Sequence, residues 1–114
     1  MIPRGREAEA FALRYLEGRG LKLISQNYRC RFGEIDLIMR DGQTIVFTEV
    51  RLRKSNAFGG ASASVDRHKQ RRILAAARHF LSDLRGSPLC RCDVVLLSDV
   101  KDKEIEWIQN AFTE

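Results

Sequence analysis

An Asp-Gly pair, Asp41-Gly42, stands between two β-rich runs, Gly33 to Arg40 and Gln43 to Arg53. Asp-Gly in that setting is a strong hairpin signal, because a tight turn needs residues that accept a positive φ. The middle of the chain is thereby committed to two antiparallel strands lying side by side. With Asp41 and Gly42 as the loop, Arg40 pairs with Gln43, Asp36 with Phe47, and Glu34 with Glu49. Opposed residues share a face, and faces alternate along a strand. Glu34, Asp36, Glu49 and Arg51 then project from one side, and Ile35, Leu37, Met39, Val46 and Val50 from the other.

Carboxylates gathered on neighbouring strands repel one another unless a cation or a base pairs them. Asp36 and Glu49 would be diagonal neighbours able to converge on one Mg²⁺, which favours hard oxygen ligands and retains waters for chemistry. Arg51, on the same face, could hold a phosphate or the charge that develops on it. A solvent-facing sheet laced with Glu–Arg salt bridges would show the same pattern, and patterning alone does not separate the two.

The flanking segments read as two helices and further strands. Residues 5–19 form a helix with Ala8, Ala12, Tyr15 and Leu16 on one face, ended by Gly18 and Gly20. Glu9 falls inside the edge of that apolar arc, so it must be paired, protonated, metal-bound or at a rim that reaches water. Leu21–Ile24 is a short strand, and residues 54–64 a small polar loop. Ser64 caps a second helix running to about Leu84, with Ile73, Ala76, Ala77, Phe80 and Leu84 as its core stripe. Arg67, Arg71, Arg78 and His79 lie opposite that stripe, while Lys69 and Gln70 fall within the apolar arc. Cys92–Leu97 is a buried strand, Asp99–Lys103 a turn and Glu104–Ile108 a last strand. The order α-β-β-β-α-β-β predicts an α/β fold, a central mixed sheet flanked by helices. A chain of 114 residues has room for one domain, 1–114.

Charge narrows the partner. Residues 1–50 carry a net charge of +1, residues 51–92 a net +8 and residues 93–114 a net −4. A basic centre of that density suggests nucleic acid, although a solvated helix face is the plainer account. No apolar run is long enough for a membrane span, and Arg4, Arg6, Glu7 and Glu9 interrupt any signal peptide, so a cytoplasmic protein is expected. Cys30, Cys90 and Cys92 are odd in number and form no CxxC pair, which predicts reduced thiols. There is no P-loop and no GxSxG, and His68 and His79 have no triad partner nearby. Trp107, Tyr28 and Phe58 could stack on bases, though most aromatics are needed for the core.

The run Gly33-Glu34-Ile35-Asp36-Leu37-Ile38, followed by Val46-Phe47-Thr48-Glu49-Val50-Arg51-Leu52-Arg53, resembles the YraN family of endonuclease-like proteins. That family is assigned to the restriction-endonuclease-like, PD-(D/E)xK superfamily and is similar to archaeal Holliday-junction resolvases. The likeness extends through Glu9 with Ala12, Gly20, Asn27, Gly59-Gly60, Lys69, Ala76, Arg91-Cys92-Asp93-Val94-Val95 and Asn110-Ala111-Phe112.

The resemblance implies a restriction-endonuclease-like fold and an endonuclease using Mg²⁺ (or Mn²⁺), with DNA preferred over RNA, in branched or single-stranded form. Asp36 and Glu49 would be the metal carboxylates, with the Val50 carbonyl as third ligand and Glu9 approaching from the first helix. Arg51 occupies the position at which the superfamily carries lysine. Arginine stays charged at any working pH, so it can neutralise a phosphate but cannot act as a base. Lys69 or Gln70 could compensate. Arg53, Lys54, Arg67, Lys69, Gln70 and Arg71 would grip the nucleic-acid backbone. Cutting both strands would call for a homodimer with paired sites. The alternatives are a non-catalytic nucleic-acid-binding module that keeps the fold, and an accessory domain that binds a protein through its acidic C-terminal segment.

Overall fold

The computed structural model describes residues 4–52, 65–98 and 105–113. Seven elements run in the expected order: α1 (Arg4–Gly18), β1 (Lys22–Cys30), β2 (Gly33–Asp41), β3 (Thr44–Leu52), α2 (Arg67–Leu81), β4 (Cys90–Leu97) and β5 (Ile105–Phe112). The strands form one sheet in the order β1-β2-β3-β4-β5. β3 and β4 are parallel and the other neighbours antiparallel, so the fold is α/β with a mixed sheet. Ser64, Arg53, Lys54, Phe58, the Gly59-Gly60 pair and the Asp99–Lys103 turn lie outside the described residues.

Each helix covers one face. Ala12 and Leu16 of α1 pack on Leu37, Met39, Val46 and Val95. On the opposite face Ile73, Ala76 and Ala77 of α2 pack on Ile38, Phe47, Val94 and Leu96. Full burial of side chains such as Leu16 or Phe47 contributes about 1.5–3 kcal/mol each. α2 comes so close to β2 that a Cβ on Gly33 would lie 3.1 Å from the carbonyl oxygen of Arg72. Glycine at that position lets the helix start settle against the sheet.

The hairpin forms where expected but in a different register. Asp41 pairs with Thr44, Arg40 with Ile45, Ile38 with Phe47 and Leu37 with Thr48. The loop is therefore Gly42-Gln43. Gly42 alone carries the positive φ, 62°, as a turn with glycine first requires, and Asp41 becomes the closing pair rather than a loop residue. Pairing slides by two residues, one pleat repeat, so most side chains keep their faces while every partner changes.

Further expectations are corrected. Ile35 joins the α2 side, not the side of Leu37 and Met39, because the regular β2–β3 ladder ends at Leu37–Thr48 and alternation breaks there. β1 is nine residues long rather than four, its polar stretch Ser25-Gln26-Asn27 being tolerated on an exposed edge. α2 is capped by Asp66, whose carboxylate accepts from the Lys69 N–H at 2.8 Å, and it ends at Leu81, leaving Leu84 exposed beyond it. β4 and β5 also run longer than read from sequence, from Cys90 and to Phe112. The described thiols are free, and no helix among the described residues is long and apolar enough to cross a membrane.

Candidate active site

Where the β2–β3 ladder stops, the two strands are held by a side chain instead. The Asp36 carboxylate accepts a hydrogen bond from the Val50 N–H at 2.8 Å, occupying the place of a ladder bond. That contact brings Asp36 to Glu49, and the Glu49 carboxyl is pushed up to about 8. Its burial is the main cause, the Asp36 charge and hydrogen bond come next, and the nearby Lys69 and Arg51 oppose both without prevailing. The Glu49 side chain is only 4% exposed, which explains the ranking: its desolvation outweighs two partly solvated cations.

Both cations reach the same oxygen. Lys69 Nζ lies 3.4 Å and Arg51 Nη1 3.6 Å from Glu49 Oε2. Lys69 arrives from the first turn of α2, so its place in the apolar arc is explained by a buried carboxylate rather than by apolar neighbours. From the other face, Gly5, Ala8 and Glu9 of α1 complete an open cleft of about 370 Å³, lined also by Val50 and Leu52. The small residues of α1 leave its floor accessible.

Glu9 is half-buried, and its carboxyl is raised above the usual range by burial and then by Asp36, while a hydrogen bond to the Asn27 side chain holds it down. Asn27 sits in β1 between Gln26 and Tyr28, whose partners Leu37 and Ile35 flank Asp36, and it has a φ of 55°. Asparagine is among the few non-glycine residues that adopt this conformation readily. The role of Asn27 was not readable from the sequence, because nothing local signals a left-handed residue inside a strand. Replacing it separates two functions. Asn27→Ala should be less stable than Asn27→Gly by about 1 kcal/mol in urea denaturation, the left-handed backbone cost. Equal stabilities would mean that the φ carries no strain.

Of the residues singled out from sequence, Glu9, Asp36, Glu49, Val50, Arg51 and Lys69 line one cleft. Glu34 does not join them; it faces Arg29 on β1, with Arg29 Nε 3.4 Å from Glu34 Oε2. Gln70, Arg67 and Arg71 line a separate groove on α2. Among the described residues no three His, Cys, Asp or Glu side chains gather in metal-binding proximity. A cation here would have two carboxylates and main-chain oxygen, a hard donor set suited to Mg²⁺ or Mn²⁺.

Comparison with known sequences gives a consistent set of relatives. The family described as "Uncharacterised protein family UPF0102" matches residues 8–97. A UPF0102 protein of Nitrosospira multiformis is 55% identical over 109 residues, covering 96% of this chain and 92% of the relative. One from Nitrosomonas europaea is 52% identical over 111 residues, 97% of this chain and 94% of that protein. A third, from Methylobacillus flagellatus, is 53% identical over 109 residues, 96% of each.

Proposed function

The chain belongs to the uncharacterised protein family UPF0102, the YraN family whose motif β2 and β3 carry, and we propose that it is a divalent-cation-dependent endonuclease of the restriction-endonuclease-like superfamily. The observation that supports this most is the Asp36–Glu49 pair, two neighbouring carboxyl groups lining one open cleft with Arg51 and Lys69. Two carboxyl groups kept side by side are costly in an ordinary sheet, and a divalent cation between them would remove the cost. The donor set fits Mg²⁺ or Mn²⁺: Asp36 and Glu49 would hold the ion, with main-chain oxygen at Val50. When bound, it supplies Lewis-acid polarisation of a phosphate and a lowered pKa for coordinated water.

The residues of the chain then divide the remaining work. The Val50 N–H fixes the Asp36 carboxylate, so one ligand is oriented before anything binds. Arg51 and Lys69, both beside Glu49 in the cleft, would present a guanidinium and an ammonium to the negative charge that builds on the scissile phosphate. Lys69 thereby places an ammonium in the cleft from α2, where Arg51 stands at the lysine position of the third strand. Glu9, raised by burial and Asp36 and hydrogen-bonded to Asn27, is positioned to orient water or accept its proton. As the oxygen of water bonds to phosphorus, the P–O bond to the leaving sugar oxygen breaks. DNA, branched or single-stranded, is the expected substrate. The test is metal-dependent cleavage of labelled junction, flap, single-stranded and duplex DNA.

One observation favours a second reading, a nucleic-acid-binding module without catalysis. Lys69 and Arg51 both reach Glu49 Oε2, as they would in a site that never takes a metal. Salt-sensitive binding with no metal-dependent cut on any of these substrates would establish it.

The protonation of Glu49 sets the pH dependence. Folding raises its pKa from 4.5 to about 8, so the folded chain holds more protons between those values than the unfolded one. The associated stability is full below 4.5 and declines as pH rises towards 8. Cation binding runs the other way, because the proton must leave. Mn²⁺ affinity measured by calorimetry should rise by about tenfold per pH unit from pH ~6 and level off above ~8, with about one proton released per ion at the lower pH. An affinity flat across this range would mean that Glu49 is not a ligand.

A further inference from the structure

A second basic feature lies on α2, away from the carboxylates. Arg67, Arg71, Leu74 and Arg78 recur at helical spacing, forming one stripe about 16 Å long at ~1.5 Å per residue. With Gln70 and Thr113, just beyond β5, they line a groove of about 250 Å³. The three arginines are exposed, and among the described residues no carboxylate lines the groove and no ion pair joins Arg67 or Arg71 to a carboxylate. The Gln70 side-chain amide donates to the Val65 carbonyl at 2.9 Å, which fixes one wall.

The charge is placed against the interest of the helix itself. α2 carries five Lys or Arg and no Asp or Glu, and four of the five fall within residues 67–72. That end of a helix is already positive, so cations there lower helix stability. Lys69 lies 3.4 Å from Glu49, but Arg67 and Arg71 have no such partner among the described residues. An external anion would relieve them. The arginines are strung along a stripe instead of converging on a point, which suits a chain of phosphates better than one small anion.

We infer that this groove is a second phosphate-binding site, which grips the backbone of the nucleic acid at phosphates away from the scissile one. The inference rests on the reading of the protein as one that acts on nucleic acid. Lys69 faces the cleft and Arg67 and Arg71 face the groove, so α2 stands between the two contacts. Recognition in the groove is by phosphate charge and carries no base sequence.

The test is binding of labelled duplex and single-stranded oligonucleotides by the full chain in EDTA, followed by fluorescence anisotropy from ~50 to ~300 mM salt. Arg67→Gln/Arg71→Gln should weaken duplex binding roughly ten- to a hundredfold at ~100 mM salt and reduce the log–log salt slope by about 1.8, at ~0.9 per phosphate. Glutamine keeps helix propensity, and circular dichroism checks the fold. Arg67→Lys/Arg71→Lys should restore most of the slope. Arg40→Gln, at an exposed arginine near the hairpin turn, should change binding less than threefold. If wild type binds but the double glutamine variant matches Arg40→Gln, the groove is not a nucleic-acid site and an acidic protein segment becomes its better occupant. If wild type fails to bind even at ~50 mM salt, the nucleic-acid reading falls, and this inference with it.

Discussion

Asp36→Asn should abolish metal-dependent cleavage, lowering the rate by at least about a thousandfold, while folding and metal-free nucleic-acid binding stay within a few-fold of wild type. The size follows from what is lost. Stabilisation by a correctly held divalent ion is worth several kcal/mol in the transition state, and about 4 kcal/mol corresponds to a thousandfold in rate. Retention of the fold follows from the contact that fixes Asp36. Its Oδ2 accepts the Val50 N–H, and an asparagine carbonyl can accept the same bond. The substitution also removes the negative charge that helps hold Glu49 protonated, so the carboxyl of Glu49 should ionise at lower pH in the variant. Wild type and variant run side by side on junction and single-stranded DNA with Mn²⁺ decide the matter. Cleavage that survives would move the chemistry elsewhere in the chain.

The largest loss of stability is expected outside the cleft lining. Asp93 in β4 is fully buried and accepts four hydrogen bonds: two from Arg91 Nε at 3.0 and 3.2 Å, one from Trp107 Nε1 at 2.9 Å and one from the Asn110 N–H at 2.9 Å. Arg91 in turn reaches Asp41, at the hairpin turn, at 3.0 Å. One carboxylate thus ties the β2–β3 turn, β4 and β5 together. Asp93→Ala strands an indole N–H, a main-chain N–H and half the pairing of a mostly buried guanidinium. Breaking a buried pair from one side costs about 3–5 kcal/mol, against a total of about 5–15 kcal/mol for a domain. Asp93→Asn keeps the volume and part of the bonding and should lose about 1.5–3 kcal/mol. Guanidinium denaturation followed by circular dichroism gives both values. A loss under 1 kcal/mol for the alanine variant would mean that the network contributes little to stability.

Much of the fold was legible because its signals are local. Asp41-Gly42 announces the hairpin, and the spacing of Ala8, Ala12 and Leu16 and of Ile73, Ala76 and Ala77 announces the two helices and their buried faces. Asp36 and Glu49 share a face by strand alternation, and Glu9 and Lys69 stand out inside apolar arcs, but their gathering in one cleft was implied by the family resemblance and not by patterning. The register was not legible, since Asp-Gly does not say whether the aspartate lies inside the turn or closes it. Here it closes the turn, which frees its carboxylate for Arg91. The escape of Glu34 to Arg29 and the move of Ile35 to the other face follow from the early end of the ladder, a tertiary event. The Asp93 network joins residues up to 69 positions apart, from Asp41 to Asn110, and nothing in any single window describes it.

Asn27 has a consequence beyond the carboxylate it steadies. β1 is an edge of the sheet, and a flat edge presents a row of free main-chain groups on which another chain can build. The irregularity between Leu23 and Ser25, followed by the left-handed residue at 27, bends this edge out of the straight line that strand addition requires. Leu23 and Ile24, partly exposed beside it, would otherwise make an adhesive margin. The residue that hydrogen-bonds Glu9 therefore also interrupts the regular edge on which a larger sheet would build. A β-branched replacement there would forfeit solubility together with the orientation of Glu9.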